Sequence, residues 1–119
     1  MACGAGGRVS TGLLPGAFIV GEVSAASTQA MLEAAADRVA LAAILDASGR
    51  HREAAGTLRQ ALSVYERVLG PDHYEVAGVL QNLAGVAERA GEPGQAAALR
   101  ARALRIRRRV LGHTRRKSL

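Results

Sequence analysis

The clearest periodicity in the chain lies downstream of a helix-breaking Gly70-Pro71 step. Val76, Val79, Leu80, Leu83 and Val86-Ala87 recur there at helical spacing. Asp72, with Glu75 three residues on, opens the run as a D-x-x-E capping box, in which a carboxylate accepts from the free N–H groups of the first turn. Gly91 supplies a left-handed stop. Pro93 suits the first turn of a following helix, where its missing N–H costs nothing. Ala96, Leu99, Ala103, Ile106 and Val110 carry that helix to Gly112. The upstream half follows the same plan, with one helix from about Thr28 to Ala47, stopped by Gly49, and another from about His51 to Leu69. The pattern predicts an all-α chain of two antiparallel helical hairpins.

The two hairpins are copies of one unit. Gly49-Arg50-His51-Arg52-Glu53-Ala54-Ala55 aligns with Gly91-Glu92-Pro93-Gly94-Gln95-Ala96-Ala97. At that same offset Leu41-Ala42 recurs as Leu83-Ala84, Ala61-Leu62 as Ala103-Leu104, and Arg67-Val68-Leu69-Gly70 as Arg109-Val110-Leu111-Gly112, all without a gap. Agreement at one register over so many positions marks an internal repeat. The organisation that follows is a Gly/Ala-rich leader (1–26), expected to be flexible; two repeats (27–112, as about 27–69 and 72–112); and a basic tail (113–119).

Composition sharpens this picture in two ways. Aromatics make up only 3% of the residues and Trp is absent, so the core must be built from Ala, Leu and Val. Small side chains let helices approach closely, and Ala is the best helix former. Cys3 is the single cysteine, which excludes an intramolecular disulfide and a cysteine zinc cluster and fits a reducing cytoplasm. Fifteen arginines against one lysine, with abundant Ala and Gly, suggest a high-GC bacterial source.

The formal net charge of +6 is unevenly spread. Nine basic residues and no acid lie from Arg100 onward, whereas the rest of the chain is net negative. Arg105, Arg107, Arg108, Arg109, Arg115, Arg116 and Lys117 form the candidate basic patch. Such an end can meet nucleic acid, acidic proteins or anionic lipid. No aromatic residue follows Tyr74 to stack on bases. Arg102, Arg105, Arg108 and Arg109 fall on the face opposite Leu99, Ile106 and Val110, as solvated residues would. No apolar run is long enough to span a membrane. The leader loosely resembles a secretory signal, with Arg8 before Leu13-Leu14 and Ala17-Phe18-Ile19-Val20, but Pro15, Gly16 and Gly21 interrupt its apolar core.

The residues that carry chemistry elsewhere form no constellation here. His51, His73 and His113 lack metal-ligand spacing. Cys3 has no neighbouring base in sequence. Gly4-Ala5-Gly6-Gly7-Arg8 lacks the Lys-Ser/Thr ending of a phosphate loop. The carboxylates Asp37, Asp46, Glu53, Glu66 and Glu88 are scattered over helix faces, with Asp46–Arg50 and Glu66–Arg59 as expected ion pairs at helical spacing. No enzyme activity, cofactor or metal is expected.

These residues resemble the tetratricopeptide repeat, in its longer kinesin-light-chain-like variety with a unit of about 42 residues. The string Val68-Leu69-Gly70-Pro71-Asp72-His73-Tyr74-Glu75-Val76-Ala77 is similar to that class's inter-repeat linker. Leu80-Gln81-Asn82-Leu83-Ala84 is similar to its leading-helix signature, and Gly49-Arg50-His51-Arg52-Glu53-Ala54 to its hairpin turn. The resemblance implies a short right-handed α-solenoid. It places Ala42, Ala54 and Ala61 where the paired helices of unit one touch, and Ala84, Ala96 and Ala103 in unit two. It further implies a non-catalytic adaptor or scaffold whose concave groove, lined by leading helices, holds a peptide or helix of another protein. Carried over residue by residue, the groove positions are Val39, Ala43, Asp46, Gln81, Asn82, Gly85 and Glu88. Asn82 matches the family's peptide-binding Asn, and Ala40 stands at the equivalent place in unit one. Ala87 and Arg100 stand where the family carries larger packing side chains. At least about three units are expected for stability, so two units imply self-association as a homodimer, packing of the leader on the repeats, or membership of a longer array, self-association foremost. The partners expected are thus another protein, acidic if met by the Arg-rich end, and a second copy; a nucleic-acid-associated role for that end is the alternative.

Overall fold

A computed structural model of the chain describes residues 16–118, with side chains over 26–112. Four helices follow one another, α1 (Gly16–Ala47), α2 (His51–Leu69), α3 (Tyr74–Arg89) and α4 (Pro93–Ser118). The chain divides into two compact units, residues 1–31 and 32–119. The first holds the N-terminal part of α1; the second holds the rest of that helix and the three that follow. Cys3 and the Gly4–Arg8 stretch lie outside the described residues.

Both outer helices are longer than the pattern predicts. α1 begins at Gly16 rather than near Thr28, and α4 continues through the expected tail to Ser118. Gly21 does not break α1, because an interior glycine costs about 1 kcal/mol of helix propensity rather than stopping the helix outright. Gly112 is tolerated inside α4 for the same reason.

The hairpin turns are built from two identical backbone devices. Gly49 and Gly91 both adopt φ of 85°, in the left-handed region that glycine enters without steric cost. After each, the N–H of the next residue reaches back to a carbonyl in the helix, Arg50 to Leu45 (2.9 Å) and Glu92 to Ala87 (2.8 Å). The glycines themselves donate to Asp46 (3.0 Å) and Glu88 (3.1 Å). This pairing satisfies two carbonyls that a helix end otherwise leaves bare. Both of these bonds of the first turn recur one repeat later in the second, so the repeat is present in the backbone itself.

The start of α3 differs from the sequence expectation. Its cap is His73, whose Nδ1 accepts the Glu75 N–H at 3.0 Å. Asp72 does not cap. Its carboxylate instead accepts from Arg109 Nη1 of α4 at 2.6 Å, because the Gly70-Pro71 turn places it toward that helix.

The core of the second unit is a layer of small and branched aliphatic side chains. Ala42, Ala54, Ala61, Ala84, Ala96 and Ala103 are all at most 1% exposed. Leu58, Val76, Leu80 and Leu83 are the largest fully buried side chains. α2 packs on α3, and α3 on α4, in the order of the chain. Methyl-sized contacts allow this close antiparallel approach, and a core packed at crystal-like density leaves no room to enlarge them. Ala87, where a larger residue was expected, is itself fully buried.

Candidate functional site

The leading helices α1 and α3 present one face side by side, and a cavity of about 270 Å³ opens between them. Val39, Ala43, Asp46, Gln81, Asn82 and Gly85 line it, so six of the seven groove positions named from the sequence meet there. Leu58 and Val86 form its floor and Arg89 closes one end. A second hollow of about 330 Å³ continues from Val39, Gln81 and Asn82 toward Tyr65, Glu75, Val79 and Arg107. The shared residues make the two hollows one groove along the α1–α3 face. Gln81 and Asn82 are exposed, and neither side-chain amide bonds to another described residue. Each amide offers both donors and an acceptor.

Helical geometry explains the gathering. Gln81, Asn82, Gly85 and Arg89 share one face of α3, where residues three or four apart stand together, and Val39, Ala43 and Asp46 do so along α1. Arg89, which the sequence reading missed, ends the groove by binding Asp46. Its Nη2 lies 2.6 Å from Oδ2, and its Nε lies 3.1 Å from both carboxylate oxygens. His51 Nδ1 donates to Oδ1 at 2.6 Å. The Asp46 carboxyl is held below its ordinary value, first by the Arg89 hydrogen bond; partial burial opposes this and His51 adds to it. The same bond raises the Arg89 guanidinium. A methyl group at Gly85 would sit 3.4 Å from Arg89 Nη2, an ordinary contact with the flexible end of that side chain. The signal in the sequence is faint: an arginine one residue beyond the repeat-equivalent of Asp46.

Glu88, that repeat-equivalent, is not part of the groove. It accepts from Arg100 Nη2 of α4 at 2.9 Å, a bond that holds its carboxyl below the ordinary range. No described helix after α4 offers it the partner that α3 offers Asp46.

The expected ion pairs along single helices give way to other partners, most of them on neighbouring helices. Arg50 binds Glu53 rather than Asp46. Glu66 pairs with Arg102 at 2.6 Å, and Arg102 also donates to the Pro71 carbonyl at 3.1 Å. Arg59 turns to Gln95 at 2.7 Å and to Glu92 at 3.6 Å. The candidate basic patch is accordingly divided. Arg109 engages Asp72, and the Arg107 guanidinium lies 6.0 Å over the Tyr74 ring. Arg105 and Arg108 are exposed, and the side chains of Arg115, Arg116 and Lys117 lie outside the described residues. Burial, and behind it the charge of Glu75, push the Tyr65 phenol up, so it lines the groove as a neutral group.

Among the described residues, no three His, Cys, Asp or Glu side chains lie close enough to hold a metal ion. No described helix is long and apolar enough to cross a membrane.

Stacked antiparallel hairpins with an open face of leading helices define a helical-repeat protein of the interaction type. The tetratricopeptide repeat family model matches residues 32–116, and the chain belongs to that family. Repeats of this kind generally mediate protein–protein interaction. No curated protein matches the sequence.

Proposed function

We propose that residues 27–112 form an adaptor or scaffold module whose α1–α3 groove takes an extended peptide or a single helix of another protein. The observation that carries this reading is the pair Gln81 and Asn82. Their unengaged amides stand over a groove kept open by Ala43 and Gly85. A peptide backbone is an alternating row of donors and acceptors, which side-chain amides match without regard to its sequence. The long repeat period, the span from Gly49 to Gly91, supports placement in the kinesin-light-chain-like class. The lone cysteine and the arginine-rich composition support a reducing, cytoplasmic setting in a high-GC bacterium.

An acidic stretch of the partner would meet exposed Arg105 and Arg108 beyond the groove. Nucleic acid is the weaker reading, since Arg100, Arg102 and Arg109 are each engaged by a carboxylate of the chain itself.

The test is to select peptides on the intact chain from a random display library and measure their affinity by calorimetry. Gln81→Ala with Asn82→Ala should weaken the selected peptides by about tenfold or more, since each lost hydrogen bond to a desolvated backbone is worth about 1 kcal/mol. Replacing Arg105 and Arg108 by Gln should leave the affinity of uncharged peptides unchanged. Equal affinity for wild type and the amide-deleted variant would dismiss the groove.

A further inference from the structure

The repeat provides a comparison within the molecule. The seam between α2 and α3 is buried, and a shift of one repeat carries each of its two sides onto an outer face. On the α2 side, Leu58, Leu62, Tyr65 and Leu69 belong to the core that the helix shares with α3. Their counterparts one repeat on are Arg100, Leu104, Arg107 and Leu111 of α4. On the α3 side, Val79, Leu83 and Val86 are buried, and their counterparts one repeat back are Asp37, Leu41 and Ile44 of α1. Leu104 and Leu111 are 47% and 60% exposed, and Leu41 and Ile44 are 48% and 63% exposed. The molecule thus carries, on opposite ends of its second unit, the two halves of an interface that it already makes internally.

We propose that the chain stacks head to tail on further copies of itself, the outer face of α1 in one copy seating on the outer face of α4 in the next. The charges favour this pairing over the alternatives. Tyr65 and Val79 border the same hollow at the internal seam. Their shifted counterparts are Arg107 and Asp37, of opposite sign, so an apolar pair within the molecule becomes a salt pair between molecules. The middle of the seam stays apolar, with Leu104 facing Leu41, while Leu58 and Val86, which share the first hollow, shift to Arg100 and Ile44. A symmetric dimer would instead set Arg100 and Arg107 against their own copies, or Asp37 against Asp37, and like charges across an interface disfavour association. Joining unlike faces leaves one free face at each end, so growth continues beyond two copies unless the rotation closes a ring. This inference does not depend on what the groove binds.

Sedimentation velocity on the intact chain over a wide concentration range tests it, with circular dichroism confirming helix content in every variant. The wild-type mass should rise with concentration past that of a dimer. Leu41→Glu and Leu104→Glu should each be monomeric alone, and their mixture should form a 1:1 complex that grows no further. Asp37→Arg and Arg107→Asp should each weaken association about tenfold or more, and the two together in one chain should restore it. A wild-type mass that stays at one protomer, or stops at two, overturns the proposal. So does self-association that survives in either single-face variant.

Discussion

Arg89, in the last turn of α3, grips Asp46, in the last turn of α1, through both Nη2 and Nε. The two residues belong to successive repeats, so the pair fastens one leading helix to the next at the end of the groove. The folded-state value of Asp46 is depressed, chiefly by that hydrogen bond, below the ordinary 3.8. A depressed carboxyl contributes stability that is complete above its unfolded value and is lost as the pH falls through its folded one. Asp46→Asn should therefore lower stability at neutral pH by up to about 1 kcal/mol, since Arg89 is half exposed and screened by solvent. The difference from wild type should shrink only in strong acid, below the usual aspartate range. Urea unfolding of both proteins along a pH series measures this, and a difference unchanged into strong acid would show that the carboxylate charge plays no part.

The alanine contacts should resist enlargement. Ala54→Leu and Ala96→Leu each force three extra heavy atoms into positions with 0% exposure. Overpacking of this kind costs about 1–3 kcal/mol. Ala98→Leu, on the exposed side of α4, should be nearly neutral. Thermal unfolding of the three variants should show two large losses and one small change.

His73 and Asp72 should separate cleanly. His73→Ala removes the acceptor for the Glu75 N–H and should cost about 1 kcal/mol, the usual worth of a helix cap. His73→Asn keeps an acceptor and should recover most of it. Asp72→Asn deletes an exposed ion pair with Arg109 and should cost well under about 1 kcal/mol. A larger loss at Asp72 than at His73, seen in denaturant midpoints, would restore the carboxylate cap that the sequence suggested.

Gly85 offers a way to close the groove without harming the fold. Gly85→Leu adds a side chain over the cavity and gains up to about 1 kcal/mol of helix propensity. The only crowding in view is against the flexible end of Arg89. Melting temperature should hold or rise while affinity for groove-selected peptides falls about tenfold or more. Retained affinity in the folded variant would place the peptide elsewhere.

Much of this molecule is written locally. The repeat register, the helices of the second unit and the turns at Gly49 and Gly91 follow from hydrophobic spacing and from residues with restricted or unusual backbone freedom, and the six buried alanines from the family resemblance. Six of the seven groove positions fell together because a helix repeats its faces every three or four residues, and a repeat fixes which face is shared. Where local rules fell short, two acceptors or two partners competed on nearly equal terms. Asp72 and His73 stand one residue apart at the same helix start, and only the approach of Arg109 assigned the carboxylate elsewhere. Asp46 and Glu88 are equivalent in the repeat, yet one faces the next leading helix and the other faces α4.

The sequence by itself therefore determined the family, the helices and the close contacts, because burial and backbone propensity act through residues near in the chain or locked by the repeat. The tertiary structure decided the ion pairs, the cap, the end of the groove and the two exposed outer faces. Long charged side chains reach several partners of similar energy, and the choice among them depends on distances between residues about a full repeat apart in the chain. Exposure at the ends, in turn, depends on which helices have a neighbour, a property of the assembled layer rather than of any segment.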